Sequence, residues 1–196
     1  VSPDGRFIAV DTNEIAGVQS VVILDPNGQI LDEAPRASNV GRIDWGSDGA
    51  LYYAADGAVF RATVGDDPSN DVLIRRFDEE AEGSPLRVRV SPDGTRLAVE
   101  LDTSESATEQ EAAVWLLNAD GTDLRRLAIA EFIPTVRRPR WSPDGRWLLV
   151  SAGGFNGATG LLLPSPVFDL GGGQYAIDTT AGTFSIDDLN DGDDVP

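Results

Sequence analysis

The chain is 196 residues long, with 33 acidic residues, 15 basic residues and a formal net charge of −18. All 15 basic residues are arginine, and neither His nor Cys occurs. Their absence excludes disulfides, thiol nucleophiles, Ser-His-Asp triads and zinc sites made of His or Cys within these residues. The acidic balance disfavours a nucleic-acid partner, and no apolar run is long enough to cross a membrane.

A short turn motif, Ser-Pro-Asp-Gly or a variant of it, recurs four times, and each copy precedes an apolar segment. The copies span residues 1–5, 45–49, 90–94 and 141–145. Their aspartates, Asp4, Asp48, Asp93 and Asp144, follow one another at intervals of 44, 45 and 51 residues. A period of roughly 40 to 45 residues filled with short strands predicts a β-propeller with one four-stranded antiparallel blade per repeat.

The residues of this motif are those that a tight turn requires. Proline presets φ at the second position, serine bonds to the local backbone, and glycine suits the turn exit. We interpret the four aspartates as structural residues that cap their own turns. The alternative is that they form a repeated carboxylate site.

The remaining elements follow in the order that a blade requires. The third repeat has apolar segments at 97–101 and 112–117, a hairpin turn at 118–121 and the outer segment 124–127. The first repeat has the same hairpin at 20–31, and no stretch has a helical period. We predict an all-β chain with blades at about 1–36, 37–83, 84–132 and 133–186, followed by an acidic tail or linker at 187–196.

These features together resemble the TolB-type propeller repeat, which is similar to the repeats in the propellers of prolyl-oligopeptidase-like enzymes. The resemblance covers about residues 1–165 and is best in the third repeat, Leu86 to Leu127. The second repeat lacks the turn proline, and the fourth departs from the pattern after Gly160. The resemblance implies an extracytoplasmic domain (periplasmic, cell-surface or secreted) with a protein or peptide partner.

The first repeat begins inside a strand, and the sequence contains no Met. We therefore expect a piece of a larger protein whose ring has six or more blades. Alternatively, four blades close as a small ring if a late strand at 183–186 replaces the first inner strand. An incomplete ring exposes strand edges, so self-association through the terminal strands is a further expectation.

Five arginines occupy equivalent places before the turns, four or six residues ahead of the turn aspartate. Residues two apart on a strand share a face, and inner strands line a propeller channel. We predict that this arginine collar binds an anionic group, such as a carboxylate of a partner, through forked hydrogen bonds. Alternatively, its members pair between blades with carboxylates such as Glu100, Asp102 or Glu131. The collar consists of Arg42, Arg87, Arg89, Arg138 and Arg140.

The acidic end resembles the start of a thrombospondin type 3-like calcium repeat, with Asp187, Asp191 and Asp193 in matching places. Asp-rich loops with a glycine supply the oxygen ligands and the tight turn that Ca²⁺ requires. The alternative is a disordered, solvated tail. We expect no other cofactor.

Three functional classes are compatible with the sequence. The first is a non-catalytic propeller domain that binds a protein or peptide. The second is the propeller of a larger prolyl-oligopeptidase-like hydrolase whose catalytic domain is absent here, since no Gly-x-Ser-x-Gly motif occurs. The third is a glycan-active enzyme that uses two carboxylates, for which no residue pair stands out. We expect the first, without intrinsic enzymatic activity.

Overall fold

The computed structural model describes residues 1–15, 18–32, 43–78, 82–104, 112–127, 135–153, 167–171 and 174–179. These residues form four antiparallel sheets, which confirms the predicted all-β propeller architecture. The first sheet contains β1 (Ile8–Ile15), β2 (Val18–Leu24) and β3 (Ile30–Asp32), in that order. The late segment at 183–186 lies outside the described residues.

The second and third sheets each have four strands in chain order, as propeller blades do. The second contains β4 (Asp44–Trp45), β5 (Leu51–Ala55), β6 (Ala58–Ala62) and β7 (Val72–Arg76), with a 3-10 turn at Pro68–Asn70. The third contains β8 (Ser84–Val90), β9 (Arg96–Asp102), β10 (Ala112–Asn118) and β11 (Arg125–Leu127). None of the helices in the described ranges is long or apolar enough to cross a membrane.

The fourth sheet departs from chain order. It contains β12 (Thr135–Trp141), β13 (Trp147–Gly153), β14 (Val167–Gly171) and β15 (Gln174–Asp178), arranged β12-β13-β15-β14. The strand β14 therefore lies at the outer edge, and the next strand in the chain, β15, lies between β14 and β13. This difference falls within the part of the fourth repeat where the sequence departs from the motif.

The turn motif joins the first two strands of a blade, and its aspartate bonds within the turn. In the third copy, the Asp93 carboxylate accepts hydrogen bonds from the Ser91 hydroxyl at 2.6 Å and from the Thr95 backbone N–H at 3.0 Å. The carboxylates of Asp4 and Asp144 accept equivalent bonds in their own turns. These bonds fix the loop locally, and glycine follows at a φ near +70° to +80° in all four copies.

The hydrophobic core lies between neighbouring blades. The second and third sheets each face a neighbouring sheet on both sides. One cluster joins the first and second blades around Ile23 and Tyr53, and another joins the second and third around Tyr52 and Val99. A third, around Leu148, joins the third and fourth blades. Strands buried on both faces account for the continuous apolar segments in the sequence.

Candidate binding site at the inner strands

The four described members of the arginine collar lie on the inner strands of the third and fourth blades. Arg87 and Arg89 are on β8, and Arg138 and Arg140 are on β12. Arg42 lies outside the described residues. The four side chains differ in their surroundings, since those on β8 are mostly buried and those on β12 are exposed.

Glu100 on β9 connects the two inner strands. Its side chain is only 7% exposed, and its Oε2 atom lies 3.3 Å from Nε of Arg87 in the same blade. The same oxygen accepts a hydrogen bond of 2.9 Å from the backbone N–H of Arg138 in the next blade. Burying a carboxylate is costly unless opposite charges or hydrogen bonds offset the lost hydration. Oε2 of Glu100 has partners of these kinds in two blades.

Asp44 on β4 forms a similar connection between the second and third blades. Its carboxylate accepts a hydrogen bond of 3.0 Å from the backbone N–H of Val90 and lies 4.0 Å from Nη1 of Arg89. Arg89 also donates to the Ile43 carbonyl oxygen at 3.0 Å. Burial raises the pKa of the Asp44 carboxyl above its usual value, although the Val90 N–H and the Arg89 charge oppose this.

A β-bulge changes the orientation of the side chains on β12. Arg137 pairs with Ser151 and Arg140 with Leu149, so that one extra residue is accommodated between them. Simple alternation, which puts residues 138 and 140 on one face, therefore does not hold here. Arg138 lies within the bulge at φ 56°, a left-handed conformation that is uncommon for residues other than glycine.

The exposed members of the collar are Arg138 and Arg140. Within the described ranges, neither guanidinium has an ion-pair partner, whereas Arg87 and Arg89 each lie near a carboxylate. Arg87 pairs with Glu100 within its own blade, whereas the alternative predicted pairs between blades, and Glu131 lies outside the described residues. In this part of the chain, Arg138 and Arg140 are thus two exposed cationic side chains.

The turn aspartates have the electrostatics of hydrogen-bonded carboxylates. Bonds from Ser2 and from the backbone and side chain of Arg6 lower the pKa of Asp4 to about 2. The pKa values of Asp93 and Asp144 are lowered by similar bonds, first from the preceding serine hydroxyl. In the second copy, Gly46 stands in place of the serine two residues before the aspartate. Burial acts to raise the pKa of Asp48, but a bond of 2.7 Å from Arg61 contributes to a net lowering of that pKa.

The repeat pattern does not single out Arg96, an arginine that joins two blades. Arg96 at the start of β9 donates to the Gly145 carbonyl at 2.6 Å and to the Thr179 hydroxyl at 2.9 Å, and its guanidinium stacks on Trp141. The only signal in the sequence is an arginine placed just after the turn, where the other copies have different residue types. A comparison of the four copies at that position would have identified it.

The predicted calcium ligands Asp187, Asp191 and Asp193 lie outside the described residues. Among the residues that are described, no group of three or more acidic side chains comes together in a way that could hold a metal ion.

No protein-family model matches the sequence, and no curated protein sequence matches it. Solved structures do resemble it. A TolB-type protein from Agrobacterium tumefaciens matches with a TM-score of 0.58 and 17% identity, over 78% of this chain and 52% of the other. TolB from Acinetobacter baumannii matches with a TM-score of 0.57 and 13% identity, over 93% of this chain and 40% of the other.

The four blades and these matches define the chain as a β-propeller. More particularly, its fold is that of TolB-like propellers, as the repeat motif predicts. The tricorn protease also matches, with a TM-score of 0.48 and 16% identity over 74% of this chain and 14% of its own. The chain spans about half or less of the length of the two TolB structures.

Proposed function

We propose that this chain is a non-catalytic propeller domain that binds a protein or peptide partner at Arg138 and Arg140. The proposal is supported most strongly by the bulge in β12, where Arg138 is exposed at φ 56° and its backbone is held by Glu100. Unfavourable backbone conformations that the surroundings maintain occur often at binding sites. Two adjacent exposed guanidinium groups suit a carboxylate on the partner.

Arg87 and Arg89 have a supporting role in this proposal. Arg87 neutralises Glu100, which holds the bulge, and Arg89 fixes the start of β4 through the Ile43 carbonyl. Arg42, the fifth member of the arginine collar, would contribute a further positive charge from the second blade. Together they would keep the inner strands cationic within a chain of net charge −18.

We also propose that the chain has no enzymatic activity of its own and that it functions outside the cytoplasm. The first statement is supported by the lack of His and Cys, which usually activate hydrolytic nucleophiles. The second is supported by the resemblance to TolB-type propellers. Turnover of ester, peptide or glycoside substrates by the purified chain, lost when one carboxylate is replaced, would contradict the first.

The binding proposal is tested with a fluorescent peptide that contains two glutamates and with its glutamine counterpart. Anisotropy should detect binding of the glutamate peptide, and the double variant Arg138→Ala/Arg140→Ala should bind about tenfold more weakly. Arg125→Ala/Arg126→Ala is the matched control, because it removes the same charge from the outer strand β11. Equal losses in both variants, or equal binding of both peptides, would contradict a site at the inner strands.

A further inference from the structure

Each blade packs against its neighbours through two different faces. In the third blade, Leu97 and Val99 on β9 pack toward the second blade, whereas Ala98 between them packs toward the fourth. The side that contains Leu97 and Val99 is the backward face of the blade, and the side that contains Ala98 is its forward face. Each of the three junctions in the described part of the chain joins the forward face of one blade to the backward face of the next.

The backward face consists of four positions on two neighbouring strands of a blade. Two are the sixth and eighth residues after the turn serine, and the other two are the residues paired with them across the ladder. The third and fourth blades can be compared directly, because in both turns the serine N–H donates to the carbonyl oxygen of the residue five positions later. All of these positions are apolar and pack at a junction. They hold Leu97, Val99, Leu117 and Trp115 in the third blade, and Leu148, Val150, Ile177 and Tyr175 in the fourth.

The first blade has a backward face of the same kind. Its turn has the same length, since the Ser2 N–H donates to the carbonyl oxygen five residues later. The sixth and eighth residues after Ser2 are Ile8 and Val10, which pair with Leu24 and Val22. These four side chains belong to none of the core clusters in the described ranges, and Val10 is 38% exposed. An apolar face that is buried in the third and fourth blades is therefore open in the first.

The forward face of the fourth blade is open in the same way. Its centre is the seventh residue after the turn serine together with the cross-strand partner of that residue. In three blades this pair combines one alanine with one leucine or isoleucine, so that it fills a similar volume. The pairs are Ala9–Ile23, Ala98–Leu116 and Leu149–Ala176. The first two pack at junctions, whereas Leu149 in the fourth blade is 37% exposed.

The charged groups beside Leu149 neutralise one another. Trp147, two residues before Leu149 on β13, has the Arg146 guanidinium 5.0 Å from its ring centre. The same guanidinium donates to the Asp178 carboxylate at 2.7 Å, and the side chain of Asp178 is only 9% exposed. This carboxylate is therefore already paired, so the forward face can receive apolar surface without burying an unpaired acid.

We propose that the forward face of the fourth blade binds the backward face of the first blade in a second copy of this chain. These two faces are the two halves of a junction that the chain forms three times within itself, and no core cluster of the described residues joins them in one copy. Because the contact is head-to-tail, two copies form it twice and close a ring of about eight blades, within the range typical of propellers. The proposal does not depend on a peptide site at Arg138 and Arg140.

The test measures association of the 196-residue chain by sedimentation velocity over a range of concentrations, where a species of twice the chain mass should form. Val10→Glu places a carboxylate on the backward face and Leu149→Glu places one on the forward face, and each should weaken dimerisation at least about tenfold. Leu73→Glu is the matched control, because Leu73 is 50% exposed on the outer strand β7, away from both faces, and it should leave dimerisation unchanged. Circular dichroism verifies that each variant is folded.

A mixture of the two face variants tests the head-to-tail arrangement. Val10→Glu retains an intact forward face and Leu149→Glu an intact backward face, so an equimolar mixture should form a dimer through one unmodified junction. Added salt should strengthen association of the parent chain, because it screens the repulsion between two chains of net charge −18. A parent chain that stays monomeric at submillimolar concentration, dimers that persist in either face variant, a mixture that does not associate, larger open assemblies, or association weakened by salt would each overturn the proposal.

Discussion

The inner strands of the third and fourth blades carry arginines at the same distances from the turn aspartate, but the two pairs differ in role. Arg87 and Arg89 are largely buried and lie beside carboxylates, whereas Arg138 and Arg140 are exposed. On β12, the backbone N–H of Arg138 donates to Glu100 and the bulge lies between Arg137 and Arg140, whereas the register shift on β8 lies between Pro85 and Arg87. Equivalent sequence positions thus lie beside carboxylates in one blade and are exposed in the next, which is the contrast on which our proposal of recognition through Arg138 and Arg140 rests.

The largest effect on stability should come from Glu100. Glu100→Ala removes the carboxylate beside the Arg87 guanidinium and the acceptor of the Arg138 N–H, and it should lower the free energy of unfolding by about 3 kcal/mol. Glu100→Gln keeps an acceptor and should cost less than half as much. Urea unfolding monitored by tryptophan fluorescence measures both. Equal stability of Glu100→Ala and the parent chain would show that the two blades are not joined through this residue.

Arg138 and Arg140 provide a second comparison, because only Arg138 has the left-handed backbone conformation of the bulge. Arg138→Gly removes the cost of a left-handed backbone and should raise the free energy of unfolding by about 1 kcal/mol. Arg140→Gly, at an ordinary strand position, should lower it by about 0.5 to 1 kcal/mol. Destabilisation by both substitutions would mean that the Arg138 side chain has a structural contact like that of Arg87.

The fold was predictable from the sequence because its signals are local. The turn motif specifies a chain reversal at Asp4, Asp48, Asp93 and Asp144, and the spacing specifies the blade. The reversed hairpin β14–β15 was not predictable, since strand order within a sheet depends on contacts made far from the turn. Similarly, alternation predicted one face for residues 138 and 140, but the bulge depends on an acceptor, Glu100, that lies 38 residues earlier in the chain.

The two types of aspartate should respond to pH in opposite directions. The folded-state pKa of Asp44 is raised above the usual 3.8, so its contribution to stability is present at low pH and is lost as pH rises through that folded pKa. The pKa of Asp4 is lowered to about 2, so its contribution is present above about pH 4 and is lost as pH falls toward 2. NMR titration of the side-chain carboxyl groups measures both.

Asp44→Asn serves as the control for this prediction, because it should remove the first pH dependence and leave the second. A single titration near pH 4 for both groups would mean that neither the burial of Asp44 nor the turn bonds of Asp4 persist in solution.

The smallest expected changes in stability distinguish an arginine on β8 from one on β12. Arg89→Ala removes a hydrogen bond to the Ile43 carbonyl and should cost about 1 kcal/mol, whereas Arg140→Ala should change stability by less than about 0.5 kcal/mol. Thermal unfolding at matched salt concentration measures the difference. If Arg140→Ala were the more destabilising substitution, the assignment of structural and recognition roles would be reversed.

The most direct measurement observes the guanidinium groups themselves while the glutamate peptide is added. In a chain with isotope-labelled arginine, the Nε–H signals of Arg138 and Arg140 should shift in a saturable manner, and those of Arg125 and Arg126 on the outer strand should not. Shifts at the outer strand, with unchanged signals from the inner strand of the fourth blade, would contradict recognition through Arg138 and Arg140.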